Sequence, residues 1–190
     1  MNDHIRKKKN SLSIQVPYNF IREKINSLTW RELQYGILTG YTSKQTAIEY
    51  AIATISSSED SKSLHFQLAS LYNSELSLVE NLLTQIAKEE ALQNENEMKR
   101  KWGYLIIFWL FSNRGTPVFI NDTPPIPLNG LFEMLLVLFE DLEYPVELAG
   151  IIGYSDEADE SMSYLEAIEK YLVESEKAFN ICSVEFPHLL

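Results

Sequence analysis

A chain of 190 residues that is 45% hydrophobic and 12% aromatic is long enough to bury one sizeable core. Its single cysteine, Cys182, excludes an internal disulfide and fits a reducing compartment. A net charge of −11 weighs against nucleic acid and anionic membranes as partners.

The chain begins with a basic arm, residues 1–16, that contains Arg6, Lys7, Lys8 and Lys9. Only alternate positions after it, Leu12, Ile14 and Val16, are apolar, so a short extended piece is expected and a secretory leader is not. A cytoplasmic protein follows as the expectation. Residues 20–26 are long enough for one or two helical turns. Thr29-Trp30-Arg31-Glu32 is a capping box, in which the Thr29 hydroxyl accepts from the third helical amide and Glu32 reaches back. Trp30, Leu33, Ile37 and Leu38 supply that helix's apolar face, and Gly40 stops it. Gly36 and Gly40 read as close packing plus a stop signal. A second helix from Thr42 or Ser43 carries Ala47, Ile48, Ala51, Ile52 and Ile55 on one stripe.

Residues 56–63 form a Ser- and acid-rich connector. Leu64, Leu68, Leu71 and Tyr72 define a further helix, and residues 74–94 another, with Leu76, Val79, Leu83 and Ile86 on its seam. The segment 98–113 is the centre of the chain. Met98, Trp102, Leu105, Ile106, Trp109 and Leu110 form one stripe, while Tyr104, Ile107, Phe108 and Phe111 cover the other faces. Its uncharged stretch, 102–111, is about half of the roughly 20 residues that cross a bilayer, so it is a core helix.

Between Gly115 and residue 129 come Pro117, Pro124, Pro125 and Pro127, which exclude a helix and disfavour a sheet. Asn129 is placed to cap a helix with Leu131, Leu135, Leu138 and Leu142 on its face. Pro145 starts a short helix bearing Val146, Leu148, Ile151 and Ile152, and Gly153 ends it. Ser163 and Glu166 form a second capping box ahead of a last helix that buries Leu165, Ile168, Leu172 and Phe179. The expected architecture is all-α, a single-domain bundle of seven to eight helices around a central apolar helix at 98–113. Residues 1–16 are the arm and 17–190 the domain.

Catalytic signatures are missing from the sequence. There is no phosphate-binding Gly-rich loop, no Gly-x-Ser-x-Gly elbow and no Cys-x-x-Cys pair. His4 and His188 read as solvated, and His65 as a boundary residue near a helix start. Glu185 and His188 have di-iron spacing, but Pro187 between them breaks the helix that such ligands need. No Arg precedes a His by four to six residues, the pairing that some all-helical bacterial ribonucleases use. Cys182 with His188 as nucleophile and base gives way to a packing role for the thiol. Adjacent acids, such as Glu89 with Glu90, diverge by about 100° on a helix and read as solvated. No enzyme activity, metal or other cofactor is expected.

Charge is distributed unevenly. Residues 1–30 carry +4, 31–100 carry −4 and 101–190 carry −11; between Glu133 and Glu176 stand thirteen carboxylates and one cation, Lys170. Such an excess attracts a basic partner, or alternatively only keeps a helical protein soluble.

Two stretches carry a resemblance. One comprises Pro17-Tyr18-Asn19-Phe20-Ile21, Leu28-Thr29-Trp30, Tyr35-Gly36 and Ala47-Ile48-Glu49-Tyr50-Ala51. The other runs through Phe139-Glu140-Asp141-Leu142-Glu143-Tyr144-Pro145-Val146-Glu147-Leu148 to Gly153-Tyr154. Together they resemble an uncharacterised family of bacterial all-helical proteins, a domain of unknown function, over about residues 17–175. The chain departs from that pattern at Leu142, where an aromatic is usual, and at Val146, where an acid is. The resemblance implies an immunity protein of a polymorphic or contact-dependent toxin system, and it supplies no catalytic residues. Joined to the charge pattern, it leads to an acidic inhibitor that covers the basic cleft of a nuclease-type toxin. Glu140, Asp141, Glu143, Tyr154, Asp156, Glu157, Asp159 and Glu160 are the expected binding residues. A small helical enzyme such as a nucleic-acid hydrolase, or a helical adaptor, are the alternatives; turnover with a divalent metal would mark the first and capture of a non-toxic partner the second.

Overall fold

Ten consecutive uncharged residues, 102–111, need neighbours on every side, and the fold supplies them. In the computed structural model, which describes residues 10–55, 61–120, 126–128, 130–153 and 164–179, they form most of α6 (Glu95–Ser112). Every residue of α6 from Trp102 to Phe111 is buried except Trp109, which is half-buried. Before α6 come α1 (Tyr18–Lys24), α2 (Trp30–Thr39), α3 (Lys44–Thr54), α4 (Leu64–Ala69) and α5 (Val79–Glu89), with a 3₁₀ turn at Asn73–Glu75. After it come the strands β1 (Val118–Ile120) and β2 (Ile126–Leu128), then α7 (Leu131–Asp141), α8 (Val146–Ile152) and α9 (Tyr164–Ala178). The all-α bundle stands, with nine α-helices among the described residues. In that set α6 touches α1 and α2 from one side of the chain order and α7 and α9 from the other. The N-terminal helices also pack among themselves, as do α7, α8 and α9, so α6 is the element shared by both groups.

The α2 helix approaches α6 closely at Gly36. A Cβ built on Gly36 would stand 2.6 Å from Cη2 of Trp102, and nearer still to Cζ2 and Cε2, so only glycine admits the indole there. The Trp102 Nε1–H donates to the Glu32 carbonyl at 2.8 Å, which satisfies the one polar atom of a fully buried ring. The capping box forms as expected: Thr29 Oγ1 accepts from the Glu32 amide at 3.1 Å and Glu32 Oε2 from the Thr29 amide at 2.7 Å. Glu32 Oε1 lies 2.7 Å from Lys101 Nζ, so this buried carboxylate also joins α2 to α6. Gly40 ends α2 at φ 83°, the left-handed stop.

Several expectations need correction. Residues 10–16 do not stand apart from the domain: Leu12, Ile14 and Val16, in the alternation expected, are buried in its core while Ser13 and Gln15 are exposed. Val16 N donates to the Tyr41 carbonyl at 2.8 Å, and the Asn10 side-chain amide donates to the carbonyls of Ile14 and Gly40. The basic residues 6–9 lie outside the described residues. Leu38 and Ile52, read as face residues, are exposed, because the buried sides of α2 and α3 run through Tyr35, Gly36 and Thr39 and through Thr46, Ala47 and Ala51. The helix expected to reach 94 stops at Glu89. Glu90 turns extended, its two carboxylate oxygens accept from the Trp30 and Arg31 amides at 3.0 Å, and its carbonyl accepts from Arg31. Asn94 then caps α6, accepting from the Asn96 amide. Pro145 caps α8 rather than opening it, and Gly130 is the residue before α7. Asn129, Ser163, Cys182, Glu185 and His188 lie outside the described residues.

The proline-rich stretch does form a sheet, a two-stranded antiparallel ribbon in which Phe119 opposes Pro127. A ribbon of two strands has only edges, and an edge tolerates the missing N–H of a proline. No helix among the described residues is long and apolar enough to cross a membrane.

Substituting Gly36→Ala should test the α2–α6 joint. The added methyl must displace the Trp102 ring, at a cost of about 2–3 kcal/mol. Thermal unfolding should fall by roughly 4–12 °C for a chain of this size, whereas Gly150→Ala, inside α8 where an added Cβ meets nothing within 4 Å, should leave it unchanged or raise it by roughly 2–4 °C.

Candidate protein-binding surface

The acidic C-terminal part of the chain presents its carboxylates unequally. Glu140 is exposed on the last turn of α7, and Glu143 is exposed just beyond it. Asp141 is not free surface: its carboxylate accepts from the Ser11 amide at 2.6 Å and from the Ser11 hydroxyl at 2.7 Å, fastening the N-terminal segment to the end of α7. Tyr154, Asp156, Glu157, Asp159 and Glu160 lie outside the described residues. Three of the eight expected residues are therefore placed, and two of those, Glu140 and Glu143, face outward.

The junction between α7 and α8 is locally strained. Glu143 and Tyr144 are consecutive non-glycine residues in the left-handed region, at φ 62° and 59°. Tyr144 precedes Pro145, which disfavours the right-handed helical conformation at Tyr144 itself, three residues after α7 has ended at Asp141. Hydrogen bonds hold the turn: Glu143 N donates to the Glu140 carbonyl at 3.0 Å and Tyr144 N to the Phe139 carbonyl at 2.9 Å. The Tyr144 ring meets the Phe139 ring edge-on, 5.1 Å between centroids, yet the residue remains 64% exposed. Val146, one turn position on, is 84% exposed.

A cleft of about 330 Å³ opens beside this turn, between residues 142–147 and the first turns of α6. Lys99 lies on its α6 side, only 16% exposed, and pairs with Glu143 and with Glu95 at 3.7 Å. Arg100 is 44% exposed and its Nε lies 3.1 Å from Glu147 Oε1. Arg100 and Glu147 also border a second depression of about 170 Å³ with Tyr171 and Glu174. Burial pushes the Tyr171 hydroxyl up to about 12, with the Ser175 hydrogen bond opposing and Glu147 adding to the rise. Beneath the junction, burial also raises Tyr35, and the negative charges of Glu95 and Glu143 act in the same direction.

Sequence reasoning missed Tyr144 and Val146 as surface residues, because Tyr-Pro and the i, i+3 spacing of Val146 with Ala149 fit a buried helix start equally well. His65 is the half-buried boundary residue expected, its ring 5.1 Å from that of Trp30. Among the described residues no group of three or more His, Cys, Asp or Glu is placed to hold a metal ion. A second cleft, of about 360 Å³, lies between α1 and α3 and includes Tyr18, Arg22 and Tyr50.

The second buried carboxylate, Glu176 of α9, lies 3.4 Å from the Tyr104 hydroxyl, which also lies 3.4 Å from the Lys24 carbonyl. Burial raises the Glu176 pKa above its ordinary 4.5, and the Tyr104 hydrogen bond and the Lys24 charge oppose that rise only in part.

An all-helical bundle with an ion-paired cleft at a helix junction is the class defined by these features. The chain belongs to a family described as an uncharacterized protein conserved in bacteria (DUF2247), whose model matches residues 18–177. No curated protein and no solved structure matches it.

The raised Glu176 pKa gives a pH test. A carboxyl with a higher pKa folded than unfolded favours folding when protonated, so its stabilising effect is full below about 4.5 and lost as pH rises through the folded value. Glu176→Gln should therefore raise the unfolding temperature at pH 7, and the difference from the parent should close below pH 4.5. A difference that is constant from pH 3 to pH 7 would contradict this.

Proposed function

We propose that this protein is an immunity-type inhibitor, which neutralises a basic, nuclease-type toxin of its own bacterium by binding it and covering its active site. The observation that carries the reading is the α7–α8 junction: an exposed aromatic and an exposed aliphatic side chain, Tyr144 and Val146, stand within a rim of Glu140, Glu143 and Glu147. Interfaces concentrate their binding energy in a few such anchors and take their association rate from the charge around them. The exposed carboxylates continue onto α9 with Glu166 and Glu174. A net charge of −11 would draw a positively charged partner at rates up to about 10⁸–10⁹ M⁻¹s⁻¹ at low salt.

The strain at the junction favours a binding role over a purely structural one. A turn that served only to connect α7 to α8 would be more stable with glycine or asparagine in the left-handed positions. Instead a tyrosine is held there with most of its surface in water. Rigid presentation of an aromatic anchor lowers the entropy lost on binding.

Co-expression with the polypeptide encoded beside this chain tests the reading. A one-to-one complex and rescue of growth are expected, with Glu140, Glu143 and Glu147 changed together to Lys abolishing both. Tyr144→Asn separates binding from folding: relief of the left-handed strain and loss of the Phe139 ring contact oppose each other, so stability should change by no more than about 1 kcal/mol, while the complex weakens at least tenfold. Rescue that survives both variants, or toxin activity undiminished by the bound protein, would refute the proposal.

A further inference from the structure

The two basic residues beside the junction differ in how they are held, and that difference identifies what the cleft recognises. Lys99 is nearly enclosed and shared between Glu95 and Glu143, so it belongs to the scaffold of the turn. Arg100 is much more exposed and meets Glu147 through Nε at 3.1 Å, on the ridge between the two depressions. An ion pair with both members about two-fifths exposed contributes little to stability, because water solvates the separated charges almost as well. It can be exchanged for another cation at small cost.

We infer that the cleft between α6 and the α7–α8 junction is a receptor for an arginine side chain of a basic protein partner, which replaces Arg100 on Glu147 and lies against Tyr144. This rests on the proposed function and specifies the group that the surface reads. The chemistry selects arginine over lysine. A guanidinium is planar and weakly hydrated, stacks on an aromatic face and presents two parallel N–H groups to a carboxylate. An ammonium is a compact, strongly hydrated charge with no such plane. The cleft offers both halves of that recognition: the exposed Tyr144 ring and the Glu147 carboxylate, with the Pro145 and Val146 surface between them in the chain for the aliphatic stem. Within the cleft itself Lys99 and Arg100 balance Glu143 and Glu147. The negative excess that favours an incoming cation lies around it, in Glu95, in Glu174 of the neighbouring depression and in Glu140 three residues before Glu143. Arg100 thus acts as a resident competitor that occupies the carboxylate until a partner's arginine takes its place.

Two fluorescein-labelled Gly/Ser peptides, identical except for three arginines in one and three lysines in the other, test this by anisotropy at 50 and 300 mM NaCl. Their equal charge makes non-specific attraction equal. The arginine peptide should bind at least fivefold tighter. Arg100→Met should tighten its binding at least threefold more than Lys88→Met, which makes the same charge change on an exposed position of α5. Tyr144→Asn and Glu147→Gln should each bring the arginine peptide down to the lysine peptide. Circular dichroism of each variant verifies the fold. Equal binding of the two peptides, or no advantage of Arg100→Met over Lys88→Met, overturns the arginine receptor. If that equal binding is lost on reversing Glu140, Glu143 and Glu147, the acidic inhibitor surface survives without it. Binding of neither peptide at 50 mM overturns both.

Discussion

The indole of Trp102 lies on the backbone of Gly36, and the rest of the arrangement follows from that contact. It brings α2 close enough to α6 for the Trp102 N–H to reach the Glu32 carbonyl and for Lys101 to reach the Glu32 carboxylate. A buried carboxylate is unfavourable unless its charge is paired and its oxygens accept hydrogen bonds. Here one oxygen meets Lys101 and the other the Thr29 amide. The joint is apolar, polar and ionic at once, and each part depends on the same close approach.

The start of α2 shows how far such satisfaction reaches along the chain. Helical geometry leaves its first amides without internal partners. Thr29 and Glu32 serve two of them locally, and Glu90, about sixty residues away, serves the Trp30 and Arg31 amides. Anionic groups at a helix N-terminus also meet the favourable end of its dipole. Glu90 can take this position only by leaving α5, which is why α5 ends there and a fresh cap at Asn94 begins α6. The N-terminal segment is fastened in the same way, by Asp141 to Ser11 and by Asn10 to Gly40. A carboxylate read as a surface charge thus serves the fold.

The α7–α8 junction departs from these habits. Its two consecutive left-handed residues are not glycine, and its tyrosine and valine are left in water. Sequences that specify a fold agree with it at every local level, and exceptions concentrate where something other than folding is selected. Strain there is balanced by the Lys99–Glu143 pair and by the Tyr144 amide bonded to the Phe139 carbonyl. The fold alone says nothing of activity, since a helical bundle hosts many functions. The residues of the junction, their charge and their exposure carry the reading of this protein as a binder of basic partners.

Much of this architecture was legible in one dimension, because it rests on short-range physics. The capping box at Thr29 and Glu32, the left-handed stops at Gly40 and Gly153 and the unbroken apolar run of α6 are set by residues a few positions apart. The all-α class follows from them. The exposure of Leu38 and Ile52 was not legible, since helical spacing names a stripe but not which neighbours arrive to cover it. The end of α5 at Glu90, the role of Asp141 and the exposure of Tyr144 and Val146 were decided by contacts between residues up to 130 positions apart. Local sequence sets which groups need a partner; only the packed chain determines which distant residue supplies it, and so which charges and rings are left for another molecule.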